Sequence, residues 1–228
     1  MTLGERGSLQ YVSVEALSIV YGHRTVLANA SLQAKRGEVC LLSGPSGSGK
    51  SSLIMCVAGL LHPTAGQVTV DGADLYGLRE NDRDALRRES IGLITQDGDL
   101  VPELTVIENV ALPLRLLGVS AREASARAGA ELERFGILDL ARSGVDRVSG
   151  GQWQRAAIAR ALVHRPSLVL ADEPTAALDQ ANAQRVIQEL RSFATDHHAT
   201  VLVATHDLRF VPTADRLYTV LDGHVEAA

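Results

Sequence analysis

The stretch Gly44-Pro45-Ser46-Gly47-Ser48-Gly49-Lys50-Ser51 decides the fold class of this chain. It follows the continuous apolar run Val39–Leu42, which is typical of a buried strand, and it opens an apolar segment of helical character from about 50 to 60. Glycines permit positive φ angles and close approach of the backbone, so that amide groups at a helix start can surround phosphate oxygens. This setting between a strand and a helix distinguishes the loop from an ordinary glycine-rich turn that happens to contain a lysine.

Two side chains of this loop have expected roles of their own. Lys50 is expected to reach the β- and γ-phosphates of a nucleoside triphosphate, and the Ser51 hydroxyl is expected to bind magnesium. The predicted phosphate-binding residues are Gly44, Pro45, Ser46, Gly47, Ser48, Gly49, Lys50, Ser51 and Ser52.

Two adjacent acids follow a second buried strand, Leu168–Ala171. Asp172 suits the ligand shell of magnesium, through water, because a hard cation prefers oxygen ligands. Glu173 is then placed to polarise an attacking water, as a general base or as a water-positioning group. The alternative is that the pair caps a helix that has Pro174 in its first turn.

Polar residues also follow two further strand-like runs. His206 comes after Val201–Ala204 and is predicted to contact the γ-phosphate and to hold Glu173 or the attacking water in line. Gln96 comes after Ile91–Thr95 and is predicted to bind magnesium or the attacking water. Because parallel strands end at one edge of a sheet, these residues are expected to belong to the same site as the phosphate loop.

A second phosphate-reading element, Ser149-Gly150-Gly151-Gln152, precedes a helix-prone segment at about 153–162. Ser149 is suited to cap this helix, and the bare amides of a helix start form an anion site. The glycines would let another subunit approach closely, and a flexible Gly-Gly hinge is the alternative. A single site does not need two phosphate-reading elements, so the economical explanation is that this one reads the nucleotide bound to another copy. The sequence therefore predicts a nucleotide-dependent dimer.

Strands alternate with helices through most of the chain, which implies a parallel sheet with its chemistry at the carboxyl ends of the strands. Two early alternating segments, Tyr11–Tyr21 and Val26–Gln33, instead predict strands of a half-exposed antiparallel sheet, and Tyr21 is placed to stack on adenine. We predict one α/β domain over residues 1–228. Its nucleotide-binding core and antiparallel β subdomain would occupy about 1–96 and 166–228, and an inserted helical subdomain would occupy about 97–165.

Composition restricts the partners and the compartment. The formal net charge of -5 argues against a nucleic-acid partner, which would require a basic surface. Cys40 and Cys56 lie in apolar segments and are expected to be buried, reduced thiols. Residues 1–7 contain no apolar stretch typical of a secretory signal, and no window approaches the roughly 20 apolar residues that span a bilayer. We therefore expect a cytoplasmic protein whose membrane role requires a separate partner chain.

These motifs together resemble the ATP-binding-cassette (ABC) ATPases over nearly the whole chain, roughly Val12–Val225, and each element occurs once and in the family's order. The resemblance implies a P-loop NTPase (RecA-like) core, ATP and Mg²⁺ as ligands, and two copies that sandwich two ATP molecules head to tail. It implies these assignments: Tyr21 as the adenine-stacking residue, Gly44–Ser51 as the Walker A loop, Gln96 as the Q-loop glutamine, Ser149–Gln152 as the signature, Asp172 as the Walker B aspartate, Glu173 as the catalytic glutamate, Ala177-Leu178-Asp179 as the D-loop and His206 as the switch histidine.

Segments 101–113 and 157–166 resemble the branch of lipoprotein-release and macrolide-export ATPases, and the cell-division ATPase of that branch is also similar. The resemblance implies an ATP-hydrolysing subunit at the inner face of the cell membrane. This subunit would drive a separate integral-membrane permease that exports or extracts lipoprotein, peptide or drug-like cargo. The alternatives are control of a cell-wall hydrolase through the permease, a soluble ATP-driven clamp of the same superfamily, and a nucleotide-binding scaffold without turnover.

Three positions depart from the family pattern. Val148 replaces the leucine usual before the signature, Thr95 stands where an aromatic residue is common, and Ala177 takes a position often held by a polar residue. None of these changes removes a catalytic group.

The loop from Gln96 to Thr105 is the predicted contact with the membrane partner, because it connects Gln96 to the inserted lobe. Its apolar residues Leu100, Val101 and Leu104 would be poorly placed in water unless a partner covers them. The alternative is that they pack beneath the helices of the lobe itself.

Overall fold

The structure is a computed structural model and describes residues 10–228, so the expectation about residues 1–7 lies outside the described residues. The strands are β1 Gln10–Tyr21, β2 Arg24–Lys35, β3 Val39–Ser43, β4 Ala65–Val70, β5 Ala73–Asp74, β6 Ile91–Ile94, β7 Leu168–Asp172, β8 Thr200–Ala204, β9 Arg216–Leu221 and β10 His224–Ala227. The α-helices are α1 Lys50–Val57, α2 Glu80–Ser90, α3 Val106–Leu116, α4 Ala121–Arg134, α5 Gly150–Leu162 and α6 Gln180–His197, and 3₁₀ turns occupy Leu138–Leu140, Val145–Arg147 and Leu208–Thr213.

The larger sheet has six strands in the order β10-β9-β3-β8-β7-β6. The strands from β9 to β6 pair in parallel, and β10 pairs antiparallel with β9. This sheet confirms the α/β class that the alternation of strands and helices predicts. The final hairpin turns at Asp222-Gly223 and joins the sheet through β9.

Both faces of the larger sheet are covered, which explains the continuous apolar runs of its strands. In β7, Val169 and Ala171 join a core cluster that includes residues of α3, α4, α5 and α6. Leu168 and Leu170 join a second cluster, with residues of α1 and of the smaller sheet. Successive side chains of a strand point to opposite faces, so a strand between two cores requires an apolar residue at every position.

The smaller sheet is antiparallel, in the order β2-β1-β4-β5. The start of β1 is more buried than a strand of a half-exposed sheet would be, because the successive residues 11–14 are all buried. The guanidinium of Arg36 lies 4.2 Å from the centre of the Tyr11 ring and contributes to this burial. The expectation of a half-exposed sheet is therefore wrong for the start of β1.

Cys40 and Cys56 are buried free thiols, as predicted. Burial raises the pKa of Cys40 to about 12, and the Glu38 carboxylate adds to this effect. Burial also raises the pKa of Cys56 to about 12. Both side chains are protonated and weakly nucleophilic at neutral pH, because the thiolate is the reactive form.

Helices α3, α4 and α5 lie between β6 and β7 in the chain, as the helical pattern predicts; the exact limits of a separate subdomain stay a prediction. Thr105 begins α3 with a capping box, in which its backbone N–H donates to Glu108 Oε2 at 2.9 Å. Within residues 10–228, no helix has the length and apolarity needed to cross a membrane.

The loop before α3 is folded inward by a buried asparagine. The Asn109 side chain accepts from Val101 N–H at 2.7 Å and donates to the carbonyls of Val101, Leu104 and Thr105. Leu100 is consequently only 4% exposed and belongs to the core cluster that includes α3 to α5. The expectation that Leu100 lies at a partner-facing surface is wrong, whereas Val101 and Leu104 are half-buried.

We expect Leu100→Ala to reduce the free energy of unfolding by about 2–4 kcal/mol, because it opens a cavity in a packed core. Leu104→Ala, at the half-buried position of the same loop, should cost less than about 1.5 kcal/mol. Urea denaturation followed by circular dichroism measures both values. Equal costs for the two variants would show that Leu100 does not anchor the loop.

Candidate functional site

The candidate site lies where four neighbouring strands of the larger sheet end. Leu42 of β3 pairs with Ala204 of β8, which in turn pairs with Asp172 of β7. The residues after these positions therefore meet at one edge of the sheet, and they include the glycine-rich loop, Glu173 and His206. β6 is the next strand, and Gln96 lies exposed in the turn that follows it.

The glycine-rich loop is held in a curled conformation by its own lysine. Lys50 is buried, and its Nζ donates to the carbonyls of Gly44 at 2.8 Å and Pro45 at 2.9 Å. Gly49 has φ +107°, and a Cβ there would lie 2.7 Å from the Leu27 side chain, so only glycine fits this turn into α1. The first amides of α1 have no partners within the helix and form a ready anion site.

Tyr21 and the glycine-rich loop share a cavity of about 340 Å³. Tyr21 is 52% exposed, so one face of its ring is accessible at the mouth of this cavity. Arg24, which the sequence analysis did not single out, also lines the cavity, beside Lys50 and Ser51. A planar, apolar ring that stacks on Tyr21 would place attached phosphates toward the loop and the two cationic side chains.

Asp172 carries the least compensated carboxylate of the site. Burial raises the pKa of Asp172, a rise that the Ser51 hydroxyl opposes; the charge of Glu173 raises this pKa further and Lys50 lowers it. Among the described residues, Asp172 Oδ1 is buried without a hydrogen-bond partner, and so is Ser48 Oγ. The Asp172 carboxylate and the Ser51 hydroxyl beside it are oxygen donors that fit a hard divalent cation such as Mg²⁺.

Glu173 is held in one position by two neighbours from the end of β8. Thr205 Oγ1 donates to Glu173 Oε2 at 2.8 Å, and His206 Nδ1 lies 2.9 Å from Glu173 Oε1. The backbone of Glu173 has φ +48°, which is unfavourable for a residue with a side chain and is typical of functional sites. Its side chain is 14% exposed, whereas that of His206 is 70% exposed.

The alternative role of this acid pair as a helix cap is wrong. The residues after Glu173 form turns, and the next helix, α6, begins only at Gln180. Asp179 caps that helix, since its Oδ1 accepts from Asn182 N–H at 2.8 Å. Hydrogen bonds from Asn182 lower the pKa of Asp179.

Further hydrogen bonds hold Thr205 in place. Nothing in the sequence indicated them, except that Thr205 stands next to His206. Thr205 Oγ1 accepts from Asp207 N–H at 3.0 Å, and Asp207 Oδ2 accepts from Thr175 Oγ1 at 2.9 Å. The Arg209 guanidinium lowers the pKa of Asp207 to about 2, so this carboxylate stays charged at neutral pH. The residues after Glu173 are thereby tied to those after β8.

Ser149 and Gln152 form a capping box at the start of α5, with Ser149 N–H donating to Gln152 Oε1 at 2.8 Å. Gly150 and Gly151 lie in the first turn of this helix and are not a hinge. A Cβ at Gly151 would lie 3.4 Å from the Ala177 carbonyl, so this element sits beside the segment that leads to Asp179. Ala177 and Leu178 of the same chain thus lie beside the positions that side chains at Gly150 and Gly151 would occupy.

Comparisons with known proteins agree with this geometry. The family model of the ABC transporters matches residues 27–176. The chain is 42% identical over 205 residues to the lipoprotein-releasing system ATP-binding protein LolD 2 of Caulobacter vibrioides, covering 90% of each chain. It is 41% identical over 202 residues to an uncharacterized ABC transporter ATP-binding protein of Mycobacterium tuberculosis, covering 89% of this chain and 82% of that protein. The predicted resemblance to lipoprotein-release ATPases is confirmed.

Solved structures show the same fold. The ATP-binding cassette MJ0796, in a dimeric post-hydrolysis state bound to ADP and Pi, superposes with a TM-score of 0.90 at 35% identity, covering 94% of this chain and 96% of that one. A second dimeric structure of this bacterial ABC transporter cassette gives the same values. At this identity and coverage, the chain belongs to the ABC transporter family as one of its ATP-binding ATPase subunits.

Proposed function

We propose that this chain hydrolyses Mg²⁺–ATP at sites shared between two copies, and that closure of the pair drives a separate membrane permease. The observation that carries the hydrolytic part is the placement of Glu173. Its carboxylate is fixed by Thr205 and His206 directly beside Asp172, whose buried oxygen is free to join a cation shell.

In this proposal the residues of the site divide between binding and proton transfer. Ser51 and Asp172 would hold the magnesium ion, which supplies charge neutralisation across the β- and γ-phosphates. Lys50 would exchange its two carbonyl contacts for phosphate oxygens. Glu173 would accept a proton from the attacking water, whose oxygen bonds to the γ-phosphorus as the bond to ADP breaks. His206 would hold Glu173 in line, and Gln96 would orient the water or the metal.

The second copy would complete each site. Ser149–Gln152 offers the amides of a capped helix start, and Ala177 and Leu178 lie beside its two glycines. We assign these amides to the γ-phosphate bound by the partner copy and Asp179 to the contact between copies. Tyr21 would stack on adenine in the 340 Å³ cavity. The dimeric state of the MJ0796 cassette supports this arrangement.

We assign the permease contact to a groove of about 500 Å³ between α2 and β6 on one side and α3 and α5 on the other. Leu112, Pro113 and Leu116 supply its apolar lining, and Leu116 is 62% exposed. The exposed Arg88 also lines the groove and would bind a carboxylate of the partner, whereas Arg87 is already paired with Asp84. A groove bounded by the sheet and the inserted helices changes width when these parts move relative to each other, so its occupant would sense nucleotide state.

The occupant of this groove would be a short, mainly apolar cytoplasmic segment of the permease. This assignment replaces the contact predicted at Leu100. The protein would then lie at the inner face of the cell membrane through its partner. Similarity to the ATP-binding proteins of lipoprotein-releasing systems supports a lipoprotein or another lipid-like molecule as the cargo of the complex.

Asp172→Asn should separate stability from function. Replacing a poorly compensated buried carboxylate by a neutral amide should leave the free energy of unfolding unchanged or raise it by about 1 kcal/mol, while Mg²⁺-dependent hydrolysis falls at least ~100-fold. Urea denaturation and phosphate release measure the two effects.

Asp215→Asn is the matched control, because Asp215 accepts from Val39 N–H and from Arg191. This change should destabilise the protein by about 1–2 kcal/mol. A stability loss at Asp172→Asn as large as at the control would mean that Asp172 is a structural carboxylate.

Glu173→Gln should bind ATP, hydrolyse it at least ~100-fold more slowly and accumulate as a dimer, because the amide keeps the shape of the side chain and cannot accept a proton. Size-exclusion chromatography with light scattering, with and without Mg²⁺–ATP, measures the mass. Lys50→Ala serves as the control and should lose nucleotide binding. A persistent monomer at saturating ATP would count against the shared sites, and an unchanged turnover would count against Glu173 as the base.

The groove can be tested by site-specific cross-linking in native membranes. Because Cys40 and Cys56 are buried and protonated, a photo-cross-linker on Leu116→Cys should react only at the introduced thiol. We expect a cross-link to an integral-membrane protein from this position, with ATP hydrolysis of the purified protein within about twofold of wild type. Leu138→Cys, exposed outside the groove, is the matched control and should give none. Equal cross-linking at both positions would overturn the assignment.

A further inference from the structure

The turn that carries Gln96 is bound to α5 through three successive backbone carbonyls. Trp153 Nε1 donates to the Asp97 carbonyl at 2.7 Å. Arg160 Nη2 donates to the Gly98 carbonyl at 2.8 Å, and Arg160 Nη1 donates to the Asp99 carbonyl at 2.6 Å. The three residues after Gln96 therefore cannot move unless α5 moves with them or these hydrogen bonds break.

The contact is also sterically tight. Gly98 has φ +75°, and a Cβ at this position would lie 2.5 Å from Trp153 Nε1 and 2.7 Å from Trp153 Cδ1. Only glycine lets the turn sit against the edge of the indole. The turn is closed internally as well, because Thr95 Oγ1 donates to Asp99 Oδ2 at 2.7 Å and Gly98 N–H donates to the Thr95 carbonyl at 3.1 Å. Gln96 is therefore part of a compact unit and not of a loose loop.

The Arg160 side chain is held in place and is not a freely moving surface charge. Burial lowers the pKa of Arg160, an effect that the nearby Asp99 carboxylate opposes. A guanidinium that is removed from water needs well-placed acceptors, and the carbonyls of Gly98 and Asp99 supply two of them. Because charged donors form strong hydrogen bonds, this contact is expected to survive movement of the turn.

We infer that Trp153 and Arg160 are positioning residues that couple Gln96 to the first turn of α5, and so connect the two nucleotide sites of a dimer. Trp153 stands one helical turn after Ser149, and α5 is a continuous helix from Gly150 to Leu162. A displacement of Gln96 by nucleotide in its own subunit would then shift the amides that face the nucleotide of the other copy. This inference rests on the proposed function of Ser149–Gln152.

The indole provides a direct readout, because Trp153 is the only tryptophan among the 228 residues. We expect Mg²⁺–ATP to change the tryptophan emission of a Ser149→Arg protein, in which the contact to a second copy is blocked. The further change Gln96→Ala should abolish this response although ATP still binds, as measured with a fluorescent ATP analogue. An equal response with and without Gln96, or no response while ATP is bound, would overturn the inference.

The Ser149→Arg protein, in which the contact to a second copy is blocked, distinguishes a failure of the shared-site dimer from a failure of the coupling through Trp153 and Arg160. If the shared-site dimer were wrong, the emission response of the Ser149→Arg protein would persist and only the dimer experiment with Glu173→Gln would fail. If the coupling were wrong, the dimer would still form and the emission response would not depend on Gln96.

Hydrolysis gives a second, independent readout. Trp153→Phe keeps an aromatic side chain but removes the N–H donor together with the pyrrole ring that packs against Gly98, so ATP binding should stay within about twofold of wild type while kcat falls about 5- to 10-fold. Combining Trp153→Phe with Gln96→Ala should cause little further loss beyond Gln96→Ala alone, because both changes interrupt one connection. Independent effects that multiply would overturn the inference.

Tyr218→Phe is the control for loss of hydrogen bonds that do not involve Gln96 or α5. Its hydroxyl donates to the Gln33 carbonyl at 2.7 Å and accepts from Gln33 N–H at 3.1 Å, between β9 and β2. We expect this variant to hydrolyse ATP at the wild-type rate per folded molecule. If Trp153→Phe and Tyr218→Phe lowered the thermal stability equally and neither changed the kcat, Trp153 would have a structural role only.

Discussion

The in-register parallel pairing of β3, β8 and β7 is the constraint on which the rest of the site depends. It places Leu42, Ala204 and Asp172 side by side, so that three separate segments of the chain leave the sheet at the same point. A shift of one residue in this register would turn each of these side chains to the opposite face of the sheet. The two apolar cores that cover the sheet resist such a shift, because the apolar residues of β3, β7 and β8 alternate between them.

The residues at this edge of the sheet combine a poorly compensated buried charge with an unfavourable backbone conformation. Asp172 is buried with an oxygen that has no partner among the described residues, and burial raises its pKa. Lys50 satisfies its ammonium group with carbonyls of its own loop. The unfavourable φ of Glu173 is maintained by Thr205 and His206, which in turn depend on the position of β8. A bound cation and phosphates would relieve the electrostatic cost that the protein alone bears.

The inserted helices are connected to the core through specific polar contacts as well as through apolar packing. Arg134 of α4 forms an ion pair with Glu189 of α6, and Arg185 of α6 donates to the Arg134 carbonyl. On another side of the lobe, Trp153 and Arg160 hold the turn after β6. Arg160 also lines the 500 Å³ groove, so a partner seated there would contact one of these connections.

The sequence by itself determined the local elements: the glycine-rich loop at 44–51, the strand-end carboxylates at 172–173, the helix start at 149–152 and the α/β class. Each of these depends on short-range rules, namely which residues tolerate positive φ, which cap a helix, and how apolar residues repeat along a strand or helix. Such rules act within a few residues, so their effects can be recognised from the sequence without a structure.

Only the tertiary structure decided the contacts between residues far apart in the chain. Thr205 reaches Glu173 across 32 positions, and Trp153 reaches Asp97 across 56. Leu100 is buried because the Asn109 amide folds its loop inward, which no periodicity of the loop indicates. A hydrogen bond between distant segments leaves no pattern in either segment, because its partner is set by the packing of the whole domain. The sequence could therefore predict the local elements, while the contacts that join them came only from the fold.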